Sequence, residues 1–450
     1  MSEATEENHR FFEALPAICE AVEKTPVFEA LLTTHLQKSE GDYMPDIRKY
    51  MRNKKAAEEK KHFAFSIAEE PEYEEKLRIH RKKVFIRSAV LCALVLLFCI
   101  VASTVYRNLV YNEMEVVDSI AREESMMSEY YSLGNYILRC SRDGAACVNE
   151  KGKTMWDLTF EIQRPLVDVC EDYAAIAEAS GNKVYIVNKD GKQGELETLL
   201  PIRQVRVAAQ GMIIVVLEDG NKNWINFYNK EGDLLADNKA PLANKGYPLS
   251  LDVSNDGKKL AVSYLQIEGA KTESVVAFYN FDSVGYNVTD HLMSSTVYED
   301  TLFPTIAFLT STVAVAFGDN MCVGYEGTQN PEEIFRLTFD EEIESIFYDA
   351  NHIGLVFRSN LSDASYKMKV YNKKGKLLLE QSFNQSYEKI KFIEDEIVVF
   401  GQQEILVYNI KGRLKFSGST EKAISDIMGI GRSYQYIILY KTEWEKVRLK

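Results

Sequence analysis

One local pattern recurs along the C-terminal three-quarters of this chain and constrains its fold more than anything else. It is a short apolar strand that closes on an Asn–Lys–x–Gly turn or a near relative of it. The units are 146–153 (ACVNEKGK), 184–192 (VYIVNKDGK), 225–232 (INFYNKEG), 275–282 (VVAFYNFD), 368–376 (MKVYNKKGK) and 405–413 (ILVYNIKGR). Their anchoring residues Asn149, Asn188, Asn229, Asn280, Asn372 and Asn409 are separated by 39, 41, 51, 92 and 37 positions. The gap of 92 spans two repeats, the middle one being the degenerate 322–327 (CVGYEG).

Alternating apolar residues make a half-buried strand, and Asn and Gly tolerate the left-handed backbone angles of a tight hairpin. Each turn is preceded by two further apolar runs, for example 166–170 and 173–179 before Asn188, or 249–253 and 260–265 before Asn280. Three strands, a turn and a fourth strand at a period near 40, with no helical pattern between, predict an all-β propeller with one four-stranded blade per repeat. Counting from Glu129 gives seven complete units and an eighth, 424–450, with three evident strands. Ring closure leaves no free edge, so the missing outer strand must come from the N-terminal side, and Val116–Ile120 is the candidate. The expectation is eight blades over 129–450; seven is the alternative, should the first unit only complete the last.

Ahead of the repeats, Ser88–Tyr106 runs for 19 residues without a charge. Val84–Tyr106 gives 23 residues if Arg87 snorkels, enough for a helix to cross a hydrocarbon core of roughly 30 Å. Lys76, Arg78, Arg81, Lys82, Lys83 and Arg87 crowd its N-terminal flank, against Arg107 and Arg122 beyond it. Positive-inside bias places residues 1–83 in the cytoplasm and 107–450 outside the plasma membrane. Residues 107–128 read as a polar stalk. In the arm, Phe11, Phe12, Leu15, Ile18, Cys19 and Val22 share a helical face interrupted at Pro16, and Thr25-Pro26 opens a second helix, 27–38. Such short helices bury little alone. The arm is expected to be a partly disordered charged segment or a docking motif for a cytosolic protein, and its 76–87 cluster suits anionic lipid headgroups.

A net charge of −14 argues against a nucleic-acid partner. Only Cys140, Cys147, Cys170 and Cys322 of the seven cysteines fall in the exported part, too few for a disulfide framework. Cys140 and Cys147 sit in apolar strands and are expected to be free thiols, although pairing across neighbouring strands stays open. No catalytic, cofactor-binding or metal-ligating residues emerge. His291 and His352 are far apart in sequence, and Asp252 and Asp256 supply too few oxygen donors for a calcium loop. There is no nucleophile elbow or phosphate-binding Gly loop. The chain is therefore not expected to be an enzyme. Asn287-Val-Thr289, Asn360-Leu-Ser362 and Asn384-Gln-Ser386 match the N-glycosylation pattern, which matters only in a eukaryotic host.

Two fragments carry a resemblance. Ser254–Ala261 (SNDGKKLA) resembles the hairpin of surface-repeat propellers, and Gly152–Trp156 (GKTMW) resembles the strand of pyrroloquinoline-quinone-type repeats. With three tryptophans in the chain, only Trp156 fits that ring of one per blade. The whole arrangement is similar to an uncharacterised family of bacterial single-pass membrane proteins with an extracytoplasmic WD40/quinoprotein-like propeller. That resemblance implies a fold and an envelope location but no activity. The functions to weigh are a membrane-anchored scaffold for an envelope protein, peptide or glycan, and a sensor of an extracellular ligand signalling to the arm; a propeller enzyme comes third.

Overall fold

The computed structural model describes residues 71–121, 128–220, 222–240, 246–268, 271–359 and 364–450. The helices expected over 8–24 and 27–38 lie outside the described residues, as does Asn360. The chain divides into two compact units, residues 1–99 and 100–450.

A helix of 38 residues, α1, runs Pro71–Asn108. It starts earlier than the apolar run because proline suits the first helical position and the Glu, Lys and Arg residues that follow are good helix formers. Within it, the 25 residues Arg78–Ala102 are long and apolar enough to cross a membrane. Its large apolar side chains are exposed: Phe85 is 74% exposed and Leu91, Leu96 and Phe98 are each more than half exposed.

The repeats form eight four-stranded antiparallel sheets among the described residues, each with its strands in the order A–B–C–D. Blade 1 comprises Glu129–Leu133, Tyr136–Cys140, Gly144–Val148 and Thr154–Thr159. Blades 2 to 7 occupy 165–197, 202–240, 247–299, 305–338, 343–383 and 389–419. Blade 8 takes three strands from the C-terminus, Ile424–Gly429, Gln435–Tyr440 and Glu443–Leu449, and its outer strand, Met114–Ala121, from the residues after α1. The register runs from Met114↔Leu449 to Ala121↔Glu443, with Ile120 opposite Trp444 and a bulge at Val117. The eight-blade expectation holds. Part of the expected stalk is the closing strand, because the ring otherwise exposes a strand edge.

Eight buried hydrophobic clusters each join two neighbouring blades, so the core sits in the seams between sheets. The smallest is the closing seam between blades 8 and 1, built on Ile137, Met428, Ile437, Leu439 and Trp444.

The recurrent Asn and Gly have separable tasks. Asn372 Oδ1 accepts the backbone N–H of Lys374 at 3.0 Å and of Lys376 at 2.9 Å. Asn149, Asn229 and Asn409 each hold the residues two and four further on in the same way. Gly152, Gly191, Gly232, Gly375 and Gly412 all have positive φ, as the turn chemistry predicts, and a bulge follows.

A second reason for glycine is visible only in the ring. A Cβ on Gly375 would lie 2.5 Å from Phe335 Cγ, on Gly412 2.2 Å from Leu379 Cδ1, and on Gly152 2.7 Å from Ile120 Cγ2. Each of those side chains belongs to the outer strand of the preceding blade. Trp156 also lies over Gly191, though at ordinary contact distance, 3.9 Å from the place of a Cβ, and its indole N–H reaches Asn188 O at 2.9 Å and Lys189 O at 3.1 Å. Thus Trp156, Phe335, Leu379 and Ile120 play one docking role, and Ile120 extends it across the closing seam.

Antiparallel order puts all A–B and C–D turns on one face of the ring, here the turn face, and the B–C turns and D–A loops on the other, the loop face. The chain joins the ring at the turn face: Tyr111 N–H donates to Lys415 O at 2.6 Å and Lys415 Nζ to Leu109 O at 3.3 Å.

Candidate functional site: the central channel

The A strands line the channel, and several carry a charged side chain that reaches a neighbouring blade. Arg206 of blade 3 sits between Asp168 of blade 2 and Asp252 of blade 4, with its guanidinium nitrogens 3.7 Å from a carboxylate oxygen of each. Its Nε also donates to Leu251 O at 3.0 Å. Asp168 Oδ2 accepts Val207 N–H at 2.8 Å, and Asp252 Oδ2 accepts Phe308 N–H at 2.7 Å, so each carboxylate also ties its blade to the next. Burial in the channel wall pushes the Asp252 carboxyl up to about 7, against the opposing pull of Arg206 and of the Phe308 N–H. Asp168 moves upward for the same cause. Tyr348 of blade 6 stacks on Phe317 with centroids 5.5 Å apart, and burial raises its phenol to about 12.

Across the channel, Lys391 of blade 7 pairs with Asp426 of blade 8, and Lys389 lies 3.5 Å from the same carboxylate. A cavity of about 1210 Å³ opens there, walled by blades 7, 8 and 1 and lined among others by Tyr130, Tyr131, Lys391, Glu394, Asp426 and Arg432. It flanks the small closing seam. Its charges are of both signs, and Tyr131 donates its hydroxyl to Glu129. The Lys391 and Lys389 pairs with Asp426 clasp blade 7 to blade 8, whereas the Tyr131–Glu129 bond lies within blade 1.

The residues weighed in the sequence fall elsewhere. Asp252 is a channel residue, whereas Asp256 is in the A–B turn, bonded to Ser254 Oγ at 2.6 Å, so the two do not form one loop site. His291 Nδ1 contacts Gly285 O at 3.1 Å and His352 Nδ1 contacts Asp349 Oδ2 at 3.0 Å, each a local bond in its own blade. Among the described residues no three His, Cys, Asp or Glu side chains are grouped to hold a metal ion. Cys140 and Cys147 are free thiols, and burial raises them to about 12 and about 11. Asp168, Asp252 and Asp426 are the single charges of their A strands, whereas Arg206 and Lys391 share theirs with Arg203 and Lys389, so no uniform sequence signal marks the set.

Among curated protein sequences none matches the chain. Of solved structures, it is similar to BamB from Moraxella catarrhalis, at 12% identity and a TM-score of 0.46, covering 75% of this chain and 100% of that one. It is also similar to apo AztD from Citrobacter koseri, at 9% identity and a TM-score of 0.47, covering 66% and 86%. A third likeness is to Kuenenia stuttgartiensis hydrazine synthase, at 10% identity and a TM-score of 0.40, covering 62% and 93%. At these values nothing about ligands or partners carries over. Residues 107–449, the closing strand and all eight blades, match a family of unknown function, DUF5711, and the chain belongs to that family.

Proposed function

We propose that this protein is a membrane-anchored scaffold whose propeller presents its loop face to an envelope protein or peptide. The observation that carries this is the set of large apolar side chains displayed on that face. Leu199, in the D–A loop after blade 2, is 99% exposed, and Ile267, near the tip of the long B–C hairpin of blade 4, is 68% exposed. Val297, toward the same end of the outer strand of blade 4, is also exposed. A surface that meets only water gains nothing from such groups, while a partner that covers them gains about 25 cal/mol for each Å² of apolar area removed from water. The channel charges pair with one another across the blades, which suits a rigid platform. Anchoring rests on the uncovered apolar helix α1, whose alternative would be a large exposed hydrophobic surface in water.

A photo-cross-linker placed at Leu199 or Ile267 in native membranes should capture a defined partner, and one placed at Lys230 on the turn face should not. Leu199→Asp with Ile267→Asp should abolish capture while leaving the melting temperature unchanged. Capture that is equal from both faces, or unaffected by the double substitution, would remove the proposal.

A further inference from the structure

On the turn face the positive charge is unevenly distributed. The C–D turn of blade 6 carries Lys373, Lys374 and Lys376, and that of blade 7 carries Lys411 and Arg413. The two turns adjoin, since Leu379, just beyond the first, packs over Gly412 of the second. Lys374, Lys376 and Lys411 are exposed. Immediately after Lys376, Leu377 and Leu378 are 45% and 44% exposed, giving the cationic turn an apolar shoulder at the rim. Blades 3 and 4 differ: Lys230 lies 3.8 Å from Glu231, and Lys258 pairs with Asp282 at 2.9 Å. The acidic Glu394 and Asp395 belong to the A–B turn of blade 7, nearer the channel, so the positive charge is at the periphery.

The chain joins the ring beside this same arc. Tyr111 pairs with Lys415 and Phe416 of blade 7, directly after the Lys411–Arg413 turn. Residues 109–113 are all that separate the end of α1 from the closing strand, and five residues reach at most about 18 Å. Resting on the membrane anchoring proposed above, we infer that the turn face docks on the bilayer to which it is tethered, with the blade 6 and 7 lysines on anionic phospholipid headgroups and Leu377 and Leu378 at the interface. Cations within a Debye length of an anionic surface are attracted to it, and apolar neighbours strengthen the contact. The loop face is then the one left open to a partner.

The test uses the full chain reconstituted in vesicles of neutral phosphatidylcholine, or of the same lipid with a third of phosphatidylglycerol. Lysines are acylated by a water-soluble reagent and read by mass spectrometry. Reactivity of Lys374, Lys376 and Lys411 should fall several-fold in the anionic vesicles and recover in high salt, while that of Lys230 stays constant. Equal reactivity in both vesicles would overturn the inference, as would protection produced by a soluble polyanion but not by the anionic bilayer. Alkaline carbonate separates the two levels: a chain extracted from both vesicles defeats the anchoring itself, whereas a retained chain with unchanged lysines defeats only the docking.

Discussion

At the scale of single residues, the turn glycines combine two demands that substitution can separate. Gly220 has φ +58 and no heavy atom within 4 Å of the place a methyl would take, whereas Gly375 has φ +76 and Phe335 Cγ 2.5 Å from that place. Gly220→Ala is expected to cost about 1 kcal/mol of backbone strain alone, and Gly375→Ala about 2 kcal/mol or more, because packing adds to it. A double-mutant cycle with Phe335→Ala should return about 1 kcal/mol of coupling; strict additivity in thermal unfolding would refute the docking role. The channel supplies a prediction with a defined sign. The Asp252 carboxyl is raised from 3.8 to about 7 in the folded state. Between those values the folded chain holds a proton that the unfolded chain releases, so this site's contribution is full at low pH and is lost as pH rises toward 7. Asp252→Asn keeps an acceptor for Phe308 N–H and removes the ionisation. Its stability relative to wild type should therefore improve between pH 5 and pH 8, by about 1–2 kcal/mol once channel water is allowed for. A pH-independent difference in melting would contradict this.

Among elements, the closing blade is the one whose loss matters to the rest. Its outer strand comes from the opposite end of the chain, and its seam with blade 1 is the smallest in the ring. Ile120 joins both features, lying opposite Trp444 within the blade and over Gly152 of the next. Ile120→Ala is expected to lower the stability of the whole ring by about 1–2 kcal/mol, whereas Leu234→Ala, on the exposed outer strand of blade 3, should stay within about 0.5 kcal/mol. A fragment beginning at residue 129 should melt below one beginning at residue 112, in a single transition. Equal midpoints would mean that Met114–Ala121 does not close the ring.

For the whole molecule, the testable quantity is which side of a membrane each part occupies. If the arm lies inside, as proposed from the flanking cations, protease added to intact cells with any wall removed should nick loops beyond about residue 107. It should leave a fragment containing the arm and α1. Loss of an N-terminal tag with an intact propeller would reverse the assignment. Leu199 and Ile267 are exposed on the loop face and Lys374, Lys376 and Lys411 on the turn face, and a single anchored orientation would use both.

The repeat, the blade count and the origin of the missing strand were legible in the sequence because they depend on local periodicity, turn chemistry and the rule that a ring leaves no edge. The positive φ at Gly191, Gly232, Gly375 and Gly412 was legible for the same reason: a hairpin turn is a short-range object. The start of α1 at Pro71 was missed because helix propensity, unlike hydropathy, continues through charged residues. What only the tertiary structure decided is what one blade does to the next. Phe335, Leu379 and Ile120 look like ordinary strand residues until the ring places them over a neighbour's glycine. Asp168, Arg206 and Asp252 come from strands about 40 residues apart, and their mutual pairing and the raised Asp252 carboxyl exist only once the A strands converge, where burial disfavours the carboxylate and the guanidinium of a neighbouring blade, which no local pattern names, partly offsets it.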